Sequence, residues 1–238
     1  MSSPAGIKIR GVIETSFLDW DGKVSCVIFV PNCNFTCPFC SNWLLVHDPE
    51  SLPEVPLERL EAFIKERQDF LDGVVITGGE PTIHRDLPDL AKRLKALGVL
   101  VKLDTNGTNP AMLAALIKDK LVDYIAMDVK APLDAKYDLA CGAKVDLAKI
   151  RESIGLIMKS GVDYEFRTTV TPNILHKPEI AEIAKTIAGA RKYALQQFVP
   201  AHSLIKEMQK LDPHPKETLE EMAALARQYV PNTIVRGI

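Results

Sequence analysis

Residues 32–40 read Asn-Cys-Asn-Phe-Thr-Cys-Pro-Phe-Cys, and this short stretch is the most informative part of the chain. It places Cys33, Cys37 and Cys40 at CxxxCxxC spacing, three of the five cysteines in all. Thiolates select iron–sulfur clusters or zinc. Three close thiolates can hold three irons of a cubane cluster and leave the fourth iron open to a ligand. The alternatives are a zinc site completed by His47 or plain loop thiols, although structural zinc usually pairs its cysteines in two separate short motifs.

The sequence around this stretch alternates short β-branched runs with amphipathic helical patterns. Such alternation predicts right-handed βαβ units and a parallel sheet. Six predicted strands are too few for a closed eight-stranded barrel, so an open or partial barrel and a doubly wound sheet both fit the pattern. Residues 7–21 are predicted as an extended N-terminal addition with a turn at 19–22. The predicted strands are 23–30, 74–77, 100–104, 124–129, 164–170 and 194–199, and the helical stripes fall within 57–64, 87–97, 153–158, 180–187 and 219–226.

Polar residues follow the predicted strands, at the edge where parallel α/β folds form their sites. Side chains from six consecutive strand ends therefore converge, which a purely structural protein has little reason to arrange. These residues are Gly78, Gly79 and Glu80 after the second strand, Asp104 and Asn106 after the third, Asp128 and Lys130 after the fourth, Glu165, Arg167 and Thr169 on one face of the fifth, and His202 after the sixth.

In this order the motifs resemble those of the radical S-adenosylmethionine (SAM) enzymes. The cysteine spacing, with Phe39 before the last cysteine, is similar to the superfamily's cluster signature, and Gly78-Gly79-Glu80-Pro81 is similar to its GGE motif. Residues 104–107, 128–130 and 165–169 resemble the activating enzymes of glycyl radical proteins, especially the anaerobic ribonucleotide reductase-activating type. The resemblance spans about residues 24–202 and implies a partial (β/α)6 barrel, α/β in class, with the short N-terminal addition.

The resemblance also implies a mechanism. A [4Fe-4S] cluster on Cys33, Cys37 and Cys40 would bind SAM at its open iron and cleave it reductively. The resulting 5′-deoxyadenosyl radical would abstract hydrogen, here from a glycine of a partner glycyl radical enzyme. A low-potential donor, flavodoxin or ferredoxin, would supply the electron. The hard chemistry belongs to the cofactors, while the protein positions and shields them.

Roles for the remaining positions follow from the same resemblance. Gly78, Gly79 and Glu80 would approach the SAM methionine moiety through their backbone, which a Cβ would obstruct at the glycines. Phe39 would pack against adenine. The other expected cofactor-binding residues are Asp104, Asn106, Asp128, Lys130, Arg167 and His202. The two aspartates could hold a monovalent cation. Lys130, Arg167 and His202 would face the SAM carboxylate, ribose or adenosine.

Several of these residues have structural alternatives. Glu165 and Arg167 could instead form a buried salt bridge with each other. His202 could be a hydrogen-bonded core histidine, and Asp104 and Asn106 could be turn formers. Cys26 is expected in the core, and Cys141 has no motif partner in the sequence.

Departures from the family pattern bear on the substrate. Many activating enzymes have His-Asn after the last cluster cysteine, whereas this chain has Ser41-Asn42. The sequence has no second cysteine-rich segment, so no auxiliary cluster is expected. An activating enzyme is the first hypothesis for function. A radical SAM enzyme acting on a small molecule or another peptide is the second, and a non-catalytic metal or iron–sulfur protein is the third.

Composition limits the partners. The chain has 238 residues, 29 basic and 31 acidic, so it offers no electrostatic footprint for nucleic acid or an anionic membrane. Apolar runs are far shorter than a bilayer span, and residues 1–10 contain no export signal, which predicts a cytoplasmic, reducing location. We expect one domain over residues 1–238, with a core at about 23–203 and a C-terminal helix and tail at about 215–238.

Overall fold

The computed structural model of the protein describes residues 6–238. Its central feature is one eight-stranded sheet in which the strands follow each other in chain order. β1 pairs antiparallel with β2, and every later neighbour is parallel. The strands are β1 Gly11–Ser16, β2 Ser25–Val30, β3 Gly73–Gly78, β4 Leu100–Thr105, β5 Tyr124–Asp128, β6 Asp163–Val170, β7 Tyr193–Gln197 and β8 Thr233–Arg236.

The six predicted strands are confirmed as β2 to β7, and the partial parallel barrel is confirmed with them. β1 lies within the predicted N-terminal addition, and β8 was not predicted. Helices connect the strands on the outside. They are α1 Trp43–His47, α2 Leu57–Glu66, α3 Leu87–Ala96, α4 Pro110–Lys118, α5 Ala135–Cys141, α6 Leu147–Lys159, α7 Lys177–Thr186 and α8 Lys216–Ala226, of which α1, α4 and α5 were not predicted.

Each strand separates two environments because successive side chains point to opposite faces. In β3, Val74 and Ile76 belong to the large core under the helices. Val75, between them, belongs instead to a small interior cluster with Val27 and Trp20. The inward face therefore carries the residues that are free to form a site, and the outward face holds the helices in place.

The turn between β1 and β2 fills the amino-terminal end of the barrel. Trp20 packs beside Tyr124 at 5.8 Å between ring centroids, and it lies against the start of β3. The buried Lys102 donates to the main-chain oxygen of Asp19. Arg236 of β8 donates to Asp21 at 2.7 Å, so the turn also joins the two edge strands of the sheet. The predicted turn at 19–22 is confirmed.

No helix among residues 6–238 is long and apolar enough to cross a bilayer.

Candidate functional site

The cysteine loop leaves the carboxyl end of β2 and is held by three hydrogen bonds to two neighbouring segments. Thr36 donates from its main chain to the Cys141 oxygen at 2.9 Å and from its hydroxyl to the Gly142 oxygen at 2.7 Å, which fixes the loop to the end of α5. The main-chain N–H of Ile205 donates to the Pro38 oxygen at 3.3 Å from the segment after β7. The loop conformation is therefore set by the barrel around it.

The three predicted ligands, Cys33, Cys37 and Cys40, all line one cavity, so the structure brings them together. Cys33 Sγ accepts from the Phe35 N–H at 3.3 Å. Burial raises the pKa of Cys33 to about 12 and also raises that of Cys40. Cys37 differs because a hydrogen bond with the Cys141 thiol outweighs burial and lowers its pKa to about 7.

Gly78 and Gly79 follow β3 and lie against the start of the cysteine loop. A Cβ on Gly79 would stand 1.8 Å from the Asn32 oxygen, and one on Gly78 would stand 2.4 Å from the Val30 oxygen. The Gly79 N–H donates to the Val30 oxygen at 2.9 Å, and the Glu80 N–H donates to the Asn32 oxygen at 2.8 Å. The glycines are thus required by close backbone contact with β2 and the loop that follows it.

Glu80 is buried and its carboxylate joins the loops after β3 and β4. Oε1 accepts from the Thr82 N–H at 3.0 Å, from the Thr82 hydroxyl at 2.5 Å and from the Thr105 hydroxyl at 2.8 Å. Oε2 accepts from the Asn106 N–H at 2.6 Å. Burial raises the pKa of Glu80 although these bonds oppose the shift. The side chain is therefore fully occupied within the protein.

Asn106 connects the loop after β4 to the cysteine loop. Its side-chain amide donates to Asn34 Oδ1 at 2.9 Å and lies 4.0 Å from Cys33 Sγ. Its carbonyl accepts from the Thr108 N–H at 3.0 Å, so it also forms the turn that the alternative interpretation expected.

Arg167 lies between the two acids proposed for a cation. Its Nε donates to Asp128 at 2.9 Å and its Nη1 donates to Asp104 at 3.0 Å. Lys130 Nζ donates to Asp128 at 2.8 Å. Burial alone would raise the pKa of Asp128, but the charges of Arg167 and Lys130 outweigh it and lower this pKa to about 2. The second oxygen of Asp104 is buried without a hydrogen bond among residues 6–238, although the ammonium of the buried Lys102 lies 3.3 Å from it.

The alternative pairing of Glu165 with Arg167 is wrong. Glu165 accepts from Arg236 through both oxygens, at 2.9 and 2.8 Å. The alternative of a core His202 is also wrong, because this histidine is exposed, in the turn after β7. Its ring lines the cavity mouth. Cys26 lies fully buried in the core, as predicted.

All thirteen predicted site residues line a single cavity of about 500 Å³ at the carboxyl ends of the strands. The sequence interpretation missed Phe29, Thr77 and Gln196 as cavity residues, although inward alternation along β2, β3 and β7 would have identified them. The contact of Cys141 with Cys37 was also missed, because packing of α5 against the cysteine loop leaves no local pattern in the sequence.

A [4Fe-4S] cluster and SAM fit this cavity by its donor set. Three thiols line it, Lys130 stands over the Phe39 ring at 5.9 Å, and Asp104 keeps one oxygen without a hydrogen bond, 3.3 Å from the Lys102 ammonium. The cavity volume suits a nucleoside-sized ligand. Among residues 6–238, no three His, Cys, Asp or Glu side chains converge on one point, as a single metal ion needs. Thiolates that hold separate irons need not converge in this way.

Comparisons with known proteins place the chain among characterised sequence families. The profile of the radical SAM superfamily matches residues 27–188. A protein of Methanocaldococcus jannaschii that carries the provisional name glycyl-radical enzyme activating enzyme is 37% identical over 97% of this chain and 96% of its own. The 7-carboxy-7-deazaguanine synthase of Neisseria meningitidis is 33% identical over 54% of each chain.

Solved structures show the same fold at low identity. Streptococcus suis SuiB, bound to its precursor peptide SuiA, superposes with a TM-score of 0.68 at 18% identity, over 89% of this chain and 48% of that one. QueE from Escherichia coli superposes with a TM-score of 0.56 at 18% identity, over 98% of this chain and 94% of that one.

Proposed function

The chain belongs to the radical SAM superfamily, and we propose that within it the protein activates a partner glycyl radical enzyme by abstracting hydrogen from a glycine Cα. Membership implies a [4Fe-4S] cluster and SAM as cofactors. The observation that carries the finer proposal is the relative named as an activating enzyme, which matches at 37% identity over nearly the full length of both chains.

In this proposal Cys33, Cys37 and Cys40 hold the cluster. The chemistry that the cofactors supply when bound is reductive cleavage of SAM to methionine and a 5′-deoxyadenosyl radical. The three thiols line the same cavity as the polar groups after β3 to β6, so substrate and cofactor share one enclosed space. Enclosure matters because water and nearby side chains would otherwise quench so reactive a species.

The protein's own residues orient the cofactor in three ways. The Gly78–Glu80 backbone is held to the end of β2 by its N–H groups, and the Gly79 oxygen would accept from an ammonium group. Lys130 and the Arg167 guanidinium place positive charge beside a carboxylate or ribose. Phe39 and His202 both line the cavity and would offer aromatic faces to the cofactor.

The cation and the location are also proposals. A monovalent cation near Asp104 and Asp128 would share those carboxylates with Arg167, and the Asp104 oxygen that makes no hydrogen bond lies 3.3 Å from the Lys102 ammonium. The three unpaired, closely spaced thiols favour the reducing cytoplasm, with flavodoxin or ferredoxin as electron donor.

Electron paramagnetic resonance tests the proposed activity. The protein is reconstituted anaerobically with iron and sulfide, reduced, and mixed with SAM and a glycyl radical protein encoded in the same genome. A glycine-centred doublet is expected on the partner, and a partner in which the glycine is replaced by alanine is the control. If every encoded candidate stays silent while SAM is cleaved, the partner assignment is wrong.

A second candidate is a radical SAM enzyme for a small molecule. It is favoured by the relatives named 7-carboxy-7-deazaguanine synthase, which match about half of this chain. It predicts that 5′-deoxyadenosine formation rises with a small metabolite and does not depend on a protein partner.

A further inference from the structure

The cavity has a wall that the cofactor assignments leave unused. Thr169 of β6 and Gln196 of β7 are cross-strand neighbours in the parallel register, and both side chains line the cavity. They lie on the inward face two residues beyond Arg167 and Ala194, toward the mouth. Phe29 and Phe198 add apolar surface to the same cavity.

These two side chains lack partners that their sequence neighbours have. The Thr168 hydroxyl donates to the Val129 oxygen at 2.7 Å, and Gln197 Nε2 donates to the His214 oxygen at 2.8 Å. Within residues 6–238, neither the Thr169 hydroxyl nor the Gln196 amide makes a hydrogen bond. Polar groups in a partly enclosed site gain free energy when a ligand meets their hydrogen bonds in place of water.

The charges of the cavity limit which ligand this can be. Four carboxylates line it (Asp19, Glu80, Asp104 and Asp128), against two lining cations, Lys130 and Arg167, and the buried Lys102, which is ion-paired with Asp104 at 3.3 Å. Both lining cations are already paired with aspartate. An anionic substrate would find no free cation and an excess of negative charge.

A peptide main chain fits these constraints. Glutamine offers one acceptor and two donors at its amide, which complements the N–H and C=O of a peptide group, and the threonine hydroxyl does the same with one atom. Glycine exposes the adjoining peptide groups most fully because it has no side chain.

We propose that Thr169 and Gln196 form a neutral hydrogen-bonding subsite that binds main-chain peptide groups of a glycine-containing segment of the substrate that carries no acidic side chain. This inference rests on the proposed function and names the chemistry by which the substrate glycine would be recognised.

Peptide binding to the reconstituted protein with SAM tests the subsite. The probes are an acetylated and amidated pentapeptide with central glycine and no ionisable side chain, the same peptide with aspartate on both sides of glycine, and a nucleoside triphosphate. Calorimetry under anaerobic conditions gives their affinities and that of SAM. The neutral peptide is expected to bind, and the two anionic probes at least about tenfold more weakly.

Variants assign the binding to the two residues. Gln196→Leu should weaken the neutral peptide about tenfold and Thr169→Val about threefold, with a much smaller change in SAM affinity. Gln228→Leu, the same change at an exposed position outside the cavity, should leave peptide affinity unaltered. Thermal unfolding of each variant confirms that it is folded.

Three outcomes would overturn the inference: tighter binding of the nucleotide than of the neutral peptide, equal loss of SAM and peptide affinity in Gln196→Leu, or unaltered peptide affinity in both variants.

Failure of the proposed function can be distinguished from failure of the subsite. If the neutral peptide binds as expected but no partner acquires a glycyl radical, the subsite stands and the activation is wrong. If a partner is activated and Gln196→Leu leaves its KM unaltered, the activation stands and the subsite is wrong.

Discussion

The carboxylate of Glu80 accepts the main-chain N–H of Asn106 at 2.6 Å, and through this bond the loop after β3 holds the loop after β4. Asn106 in turn reaches Asn34 in the cysteine loop. A single buried carboxylate thus fixes the relative positions of three loops that line the cavity. Its four donors explain why a charged residue is stable here.

Replacing Glu80 with glutamine tests this arrangement. The amide keeps the shape but turns one acceptor oxygen into a donor that faces another donor. Glu80→Gln should therefore lower the free energy of unfolding by about 2–3 kcal/mol in urea denaturation. The exposed Glu217→Gln should change it by less than about 0.5 kcal/mol, and an equal effect of both changes would contradict the assignment.

The glycine pair yields a second stability prediction. Gly79→Ala should destabilise the protein by about 3 kcal/mol or more, because its Cβ would overlap the Asn32 oxygen and backbone cannot move away cheaply. Gly155→Ala is the matched control, since this glycine lies within α6 with no atom within 4 Å of the added Cβ. That change should stabilise by about 0.5–1 kcal/mol, measured by the same denaturation.

Removing one cluster thiol should abolish metal binding without unfolding the protein. Cys37→Ala is expected to lose iron, sulfide and 5′-deoxyadenosine formation together while it retains its circular dichroism spectrum, because the helices and strands do not depend on the cysteine loop. Cys26→Ala, a buried cysteine of β2 outside the cavity, should retain iron. Full activity of Cys37→Ala would refute the ligand assignment.

The ion pair of Glu165 with Arg236 should be strongly coupled. Among residues 6–238, the cation that Arg236→Met leaves beside the buried carboxylate is the more distant Lys192 at 3.6 Å, so the single change should cost about 3 kcal/mol or more. In a double-mutant cycle with Glu165→Gln, the coupling energy should exceed about 1 kcal/mol. Additive effects of the two changes would show that the pair does not stabilise the sheet.

Acid unfolding should report on Asp128. Its pKa is lowered from 3.8 to about 2 by Arg167 and Lys130, so the ionised form stabilises the native state above pH 4. This stabilisation should be lost as the pH falls from about 4 to about 2, when the folded carboxylate takes up a proton. The difference in unfolding free energy between wild type and Asp128→Asn should therefore be constant above pH 5 and shrink toward pH 2; a constant difference throughout would exclude the mechanism.

Most of the sheet could be predicted because β2 to β7 carry β-branched runs separated by amphipathic helices. β8 was missed because Thr233–Arg236 is only four residues long and its partner, β7, precedes it by some thirty-five residues. α4 was missed because Pro110 at its start reads as a breaker, whereas it is tolerated at the first helical position after the Asn109 cap.

The site residues were predicted more fully than their contacts. Cys33 to His202 converge as the strand order requires, yet the partner of Glu165 comes from β8, which the sequence interpretation lacked. Likewise, Arg167 was expected to face a ligand, and it also binds Asp104 and Asp128. Such choices among nearby charges depend on side-chain geometry across strands, which periodicity does not encode.

The bond between Asp21 and Arg236 has a consequence for how the chain folds during synthesis. The two residues are 215 positions apart, so the ribosome releases the turn that fills the barrel's amino-terminal end long before the strand that secures it. Each βα unit can pack on its predecessor as it emerges, but the bond between this turn and the last strand has to wait for β8. The nascent partial barrel therefore lacks this link until nearly the whole chain has been made, and contacts this distant in sequence are slow to form.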